Sequence, residues 1–344
     1  MTFDLQKSPV TDPTPVYRYR DGLYAADLLA CALVFLDFFT WLEKGPATTE
    51  QICRHFEIAP RPTDVMLTLF VAMGLLKRQG DSVHVTESGH EHLVSSSPWF
   101  LGPYYASLKD RPVCKDFLQV LKTDKPANWG SFKNEKDWAR AMEEPAFAES
   151  FTAAMDCRGV FLGQALAKKL DGAKRKSLLD IAGGSGIYAC SIVAHHSHLS
   201  AAVFEKAPVN KVAANAISKR GFSDKVRVIE GDMFGRDFPN GFDLHLISNV
   251  LHDWNESTVM GLLRKSFTAL EPGGMLVIHD VHINADKSGP LPAASYSALL
   301  MHATEGKCYS LSELYPWLQN IGFRNLKFTP TGADRSIVTA EKPA

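Results

Sequence analysis

From about residue 175 onward, short aliphatic runs alternate with helical stretches, and few folds accept that pattern. The runs are K-S-L-L-D-I-A, S-A-A-V-F-E, K-V-R-V-I-E, F-D-L-H-L-I-S and G-M-L-V-I-H-D-V. Each is rich in Val, Ile, Leu or Phe, as strands buried on both faces are. Helical stretches separate successive runs, except that a loop follows K-V-R-V-I-E. This alternation predicts an α/β domain with a mainly parallel sheet and helices on both faces. The end differs: F-R-N-L-K-F-T-P and D-R-S-I-V-T-A-E-K predict a terminal antiparallel hairpin.

Residues 20 to about 105 read mostly as helices. G-P-A-T-T-E-Q-I-C-R-H-F predicts a helix capped at Thr48 or Thr49. P-R-P-T-D-V-M-L-T-L-F-V-A-M-G-L-L starts a second helix on its prolines, and Gly74 ends it. K-R-Q-G-D-S-V-H-V-T then makes a hairpin about Gly80 and Asp81. Two helices and a two-stranded wing form a winged-helix pattern. The second helix offers Thr63, Asp64 and Thr68 but few bases, and the chain balances 37 basic residues against 38 acidic ones. Neither feature provides the footprint of nucleic-acid binding, so a scaffold and dimerisation module is expected. The stretch A-A-D-L-L-A-C-A-L-V-F-L-D-F-F-T-W-L is interrupted by Asp27 and Asp37 and is short for a membrane span; it reads as a buried helix. A length of 344 residues, 45% of them hydrophobic, suggests about two domains, and the change of pattern along the chain divides it into a winged-helix-like domain over 1–108, a helical connector over 109–170 and the sheet domain over 171–344. The six cysteines are scattered without a C-x-x-C pair, which fits a reducing compartment and argues against a zinc site or disulfide framework. The start M-T-F-D-L-Q-K-S-P carries no secretion signal, so a soluble cytoplasmic protein is expected.

The first strand of the sheet domain runs into D-I-A-G-G-S-G-I-Y-A. Ligands of such folds sit at the carboxyl ends of the strands. Gly184 and Gly186 permit the tight turn, and the helix beginning near Ile187 aims free amides at a ligand. Gly184, Gly186 and Ala189 also satisfy the dinucleotide pattern, and Glu205 ends the next strand where a ribose acceptor is needed. Three features favour S-adenosylmethionine over a nicotinamide cofactor. Asp180 precedes the glycines, where a carboxylate suits an ammonium and a sulfonium but repels a pyrophosphate. G-D-M-F ends the third strand and places Asp232 and Met233 at an adenine edge and face. The terminal hairpin also fails to supply a second mononucleotide-binding half.

With D-I-A-G-G-S-G, F-E-K-A-P, G-D-M-F, L-H-D-W, L-E-P-G-G and T-E-G-K in this order, the chain resembles the class I S-adenosylmethionine-dependent O-methyltransferases of the caffeate and acetylserotonin type, and within them the bacterial small-molecule branch. The resemblance spans nearly the whole chain. It implies a Rossmann-like catalytic domain, a homodimer built through the winged-helix domain, a connector lining the acceptor pocket, and no metal. It implies cofactor contacts from Asp180, Gly183, Gly184, Glu205, Asp232, Met233, Ser248 and Trp254. His252 would be the general base, with Asp280 as its orienting carboxylate. Phe151, Met155, Asn249, Met301 and Cys308 would line the acceptor site, and the acceptor would be a hydroxyl of a small aromatic or polyketide-like molecule. Three positions depart from the family's pattern. Ala182 replaces a frequent glycine at a site expected to tolerate a methyl group. Glu205 replaces a common aspartate, and Cys308 replaces a second carboxylate flanking the histidine. The same fold also serves nitrogen and carbon methylation and non-methylating enzymes, and a winged-helix regulator that senses the cofactor is a reading from another class.

An oxygen acceptor must lose a proton as it attacks a methyl group, and an imidazole held by a carboxylate can take it. A histidine at a strand end is commonly just a satisfied polar group; its neighbouring carboxylate and the cofactor motifs single out His252. Asp253 and Glu256 in D-W-N-E read as a capping box, which gives Asp253 a structural role. His195, His196 and His198 read as the solvated end of the first helix of the sheet domain rather than a metal site. Arg158 reads first as a surface arginine and second as a partner for a cofactor carboxylate or an acidic acceptor, and Tyr104, Tyr105, His279, His282 and His302 are further pocket candidates.

Overall fold

Two compact units emerge in a computed structural model that describes residues 4–127, 142–235 and 237–344. A sheet unit takes the described residues of Met1–Pro15, Trp138–Val281 and Glu313–Ala344, and a helical unit takes those of Val16–Asp137 and His282–Ser312. Part of the stretch read as helices between 106 and 170 falls on 128–141, outside the described residues.

In the helical unit, strands β1 (Ala47–Thr48), β2 (Leu76–Gln79) and β3 (Ser82–Val85) form a small sheet in the order β1-β3-β2. The wing is the expected hairpin, with Gln79 opposite Ser82. Thr48 caps helix Thr49–Phe56 through a full capping box with Gln51. The long apolar stretch is not one helix. Asp37 adopts a left-handed conformation (φ 45°) and divides it into Ala25–Leu36 and Phe38–Leu42. Asp27, the other interrupting carboxylate, stays inside the first helix, buried and held by Arg111 at 2.5 and 3.0 Å. The break lets Phe38 and Phe39 turn onto Phe70, with ring centroids 6.0 and 5.4 Å away. Helix Pro60–Ala72 stands where a winged helix would present its reading helix. Here Thr63, Val65, Met66, Leu67, Thr68, Leu69 and Phe70 are all buried. Helix Leu291–Ala303, buried from Ala293 onward, packs against it. The face that would enter a groove is thus consumed by core packing, which argues against the regulator reading.

The sheet unit follows the predicted alternation. Strands β4 (Ser177–Ile181), β5 (Ser200–Glu205), β6 (Val226–Glu230), β7 (Phe242–Ser248), β8 (Leu270–Asp280), β9 (Arg324–Pro330) and β10 (Ser336–Glu341) form one sheet in the order β6-β5-β4-β7-β8-β10-β9. The first five are mutually parallel, and β10 runs antiparallel to both β8 and β9. The chain steps outward from β4 to β6 and then returns to the other side of β4. That reversal opens a crevice at the carboxyl ends of β4 and β7, where doubly wound sheets bind ligands. Register brings the site residues level, with Ile181 beside Phe204 and Ile247, and Ser248 beside His279.

Candidate active site

The glycine turn is shaped around one carboxylate. Asp180 is fully buried, and neither of its oxygens has a hydrogen-bond partner. Burial raises it to about 7, with the charge of Glu205 adding to the rise. A β-carbon on Gly183 would come 2.6 Å from that carboxyl group, so no other residue fits without displacing it. Ala182, Gly184 and Gly186 all have positive φ (54°, 56° and 75°). Ala182 therefore does not sit in an ordinary conformation that simply tolerates a methyl group; it occupies the left-handed region at a cost of roughly 1–2 kcal/mol. Helix Ile187–His195 begins immediately after the turn. Ser185 Oγ is also buried without a partner. An unpaired buried carboxylate beside a tight backbone cradle is a costly arrangement by itself, and a cationic ligand removes the cost. The ammonium and sulfonium of S-adenosylmethionine fit it.

Glu205 closes the far side of the turn. Its carboxylate accepts from Gly184 N–H (3.0 Å) and Lys206 N–H (2.9 Å). Burial raises it to about 7, the two amides pulling the other way. Asp232 is exposed and accepts from Phe234 N–H at 2.8 Å. The Phe234 ring meets Trp254 edge-on at 4.6 Å, which brings Trp254 to the G-D-M-F corner. The motif reading stopped at Met233 and missed Phe234, although the motif itself contains it.

At the end of β7 lies a buried polar chain. Asn249 Nδ2 donates to Tyr188 Oη and to Ser248 Oγ, both at 3.0 Å. Ser248 Oγ is 2.8 Å from His279 Nδ1, and the Tyr188 ring lies edge-on to His279 at 5.5 Å. Asn249 holds a positive φ of 53°, which asparagine accepts readily. His279 is thus behind Ser248, supporting it. Tyr188 was not legible as a site residue, since an apolar helix start gives no sign of a contact 61 residues away.

The histidine follows in a short 3-10 turn, Leu251–Asp253. His252 is buried, and its Nδ1 lies 2.5 Å from Asp280 Oδ1. Val281 N–H donates to the same oxygen at 2.8 Å. A carboxylate only accepts, so Nδ1 carries the proton and Nε2 keeps the lone pair. Burial disfavours the imidazolium. The charges of Asp280 and Asp253 and the Asp280 hydrogen bond outweigh it, with Arg158 opposing, and His252 stands above its ordinary value. The expected capping box at Asp253 is not there. Helix Glu256–Ala269 is capped by Asn255, whose side chain accepts from Thr258 N–H at 3.1 Å. Asparagine is as good a cap as aspartate, and the 3-10 turn moves the helix start past Asp253.

Phe151 and Met155 lie half-buried on helix Pro145–Lys169 of the sheet unit, with Arg158 one turn on. Phe151 stacks on Phe147 at 6.3 Å. Met301 and Cys308 are buried in the helical unit, where Cys308 N–H donates to Ser297 Oγ at 3.1 Å. His302, in the same unit, is held by Asp116 at 3.2 Å between the rings of Tyr24 and Phe117. His282 is also buried there, whereas Tyr104 is largely exposed. His196 and His198 each place Nε2 3.1 Å from a backbone carbonyl, those of Ala167 and Gly172. Among the described residues no group of three or more potential ligands could hold a metal ion, and no helix is long and apolar enough to cross a membrane.

Comparison with known proteins agrees with this architecture. Residues 120–324 match the O-methyltransferase domain family. The 3-hydroxy-5-methyl-1-naphthoate 3-O-methyltransferase of Streptomyces sahachiroi is 28% identical over 94% of this chain and 93% of its own. The tetracenomycin polyketide synthesis 8-O-methyltransferase of Streptomyces glaucescens is 28% identical over 97% and 98%. The crystal structure of an O-methyltransferase family 2 protein from Planctomyces limnophilus, in complex with apigenin, superposes with a TM-score of 0.88 at 30% identity, covering 99% of both chains. With a parallel sheet, an unpaired carboxylate at its glycine turn and this match over most of its length, the chain belongs to the O-methyltransferase domain family and is an S-adenosylmethionine-dependent methyltransferase.

Proposed function

We propose that this enzyme methylates a hydroxyl of a small aromatic or polyketide-like acceptor, with His252 as general base and Asp280 as the carboxylate that orients it. The observation that carries the reading is the buried His252–Asp280 pair at 2.5 Å, with Asp280 at the end of β8 and His252 on the 3-10 turn that follows β7. The names of the relatives, which act on a naphthoate and a polyketide, support the acceptor class.

The cofactor, when bound, supplies an electrophilic methyl group. Asp180 and the cradle of Gly183 and Gly184 hold its amino-acid end, Glu205 its ribose hydroxyls, and Asp232, Met233 and Trp254 its adenine, with Ser248 completing the floor. His252 Nε2 takes the acceptor's proton. At ordinary values the gap between a phenol (~10) and an imidazole (~6.5) makes full prior deprotonation cost about 5 kcal/mol. The raised basicity of His252 narrows that gap. Asp280 keeps the proton on Nδ1 and stabilises the imidazolium that forms. Phe151, Met155 and Asn249 line the acceptor side.

The test is transfer of labelled methyl from S-adenosylmethionine to a panel of hydroxyarenes, amines and activated aromatic carbons. Label on oxygen is the expected result. Label confined to nitrogen or carbon would overturn the acceptor assignment and make Cys308, which stands where the family pattern has a carboxylate, the first residue to exchange.

A further inference from the structure

His252 touches two carboxylates, one at each ring nitrogen. Asp280 is at Nδ1, 2.5 Å away, and Asp253 Oδ1 is 3.6 Å from Nε2. The two differ in their access to water. The Asp280 side chain is 6% exposed, and its Oδ1 already accepts from Val281 N–H. The Asp253 side chain is 42% exposed, and helix capping, which falls to Asn255, does not account for its position. A buried base that takes a proton at Nε2 in every turnover must give it up from the same atom. Nδ1 is committed to Asp280, and the ring itself is buried.

Building on the base assignment above, we infer that Asp253 is the positioning carboxylate on the acceptor side of His252 and the route by which the proton leaves. In the transfer step the acceptor's O–H bond breaks and its proton goes to Nε2. The freed oxygen pair forms the C–O bond, and the S–C pair withdraws onto sulfur, leaving a neutral thioether. The imidazolium is then flanked by Asp280 and Asp253. Its Nε2–H bond breaks, the electron pair stays on nitrogen, and Asp253 Oδ1 receives the proton and passes it to water. Before that release Asp253 stabilises the imidazolium through space. The charged groups acting on His252 are Asp280 at the end of β8, Asp253 on its own turn and Arg158 on helix Pro145–Lys169. The two carboxylates favour the cation and the guanidinium disfavours it.

The experiment pairs nitrogen-detected NMR titration of the His252 ring in the acceptor-free enzyme with the pH profile of kcat on the best hydroxyarene of the panel. Both are measured for wild type, Asp253→Asn and Asp253→Glu. Asp253→Asn should lower kcat about tenfold or more and move the ring titration and the acid limb of kcat to lower pH. Cofactor affinity should not change, and Asp253→Glu should restore the titration. A ring titration and acid limb that stay in place in Asp253→Asn would overturn the inference, whatever the rate. The base assignment fails by a different result, an undiminished rate in His252→Ala.

Discussion

At the level of single residues, Asp180 sets the stability of the ligand-free chain against the binding role proposed for it. Its carboxyl group stands at about 7 in the folded chain, against an ordinary value of 3.8. A carboxyl raised by folding contributes stability below its unfolded value, and that stability is lost as pH climbs through the folded one. The ligand-free enzyme should therefore weaken between about pH 4 and 7 on account of Asp180, and Glu205 adds to the same slope. Asp180→Asn should raise the ligand-free stability at pH 8 by about 2 kcal/mol, read from urea unfolding, and abolish cofactor binding, read by calorimetry. A variant no more stable than wild type would contradict this account of the turn. His252 titrates in the other sense. In the base role proposed for it His252 works when neutral, and its partners hold it above the ordinary imidazole value, so the acid limb of kcat should lie above pH ~6.5. A limb below that value would show that the flanking carboxylates do not act on the ring.

At the level of elements, the glycine turn and the helix starts carry the predictions. Gly183→Ala drives a β-carbon to 2.6 Å from the Asp180 carboxyl group. Overpacking of this kind costs typically 1–3 kcal/mol, and S-adenosylhomocysteine should then no longer raise the melting temperature. Asn255→Ala should cost about 1 kcal/mol by uncapping helix Glu256–Ala269. The central strands β4, β5, β7 and β8 were legible because most of their side chains are buried on both faces, so their composition repeats what the sheet demands. The His252–Asp280 pair was legible because Asp280 ends β8 and His252 follows the end of the neighbouring β7 by four residues. The break at Asp37 was not, since a single left-handed residue leaves the apolar pattern on either side intact. Nor was the cap, because Asp253 and Asn255 are equally good caps and only the 3-10 turn chooses between them. The chain from Tyr188 through Asn249 and Ser248 to His279 joins residues up to 61 apart, which periodicity does not record.

At the level of the whole molecule, the helical unit takes 282–312 from the far end of the sequence. Helix Leu291–Ala303 has no polar face and needs cover on every side, and helices Ala25–Leu36 and Pro60–Ala72 provide it. The helical unit also exposes Val16, Tyr19, Leu23, Trp99 and Tyr104, all more than half accessible. Large apolar side chains in water favour association, and we propose that a second copy of the chain covers this unit. Light scattering should return twice the mass of the chain, and a monomer at micromolar concentration would contradict it. The measurement that bears most directly on the whole account compares wild type with His252→Ala in labelled-methyl transfer to a hydroxyarene, cofactor affinity being determined on the same samples. The account predicts methyl on oxygen with wild type, a loss of 10²–10⁴-fold in the variant, and cofactor binding unchanged. Transfer at full rate by His252→Ala would contradict it.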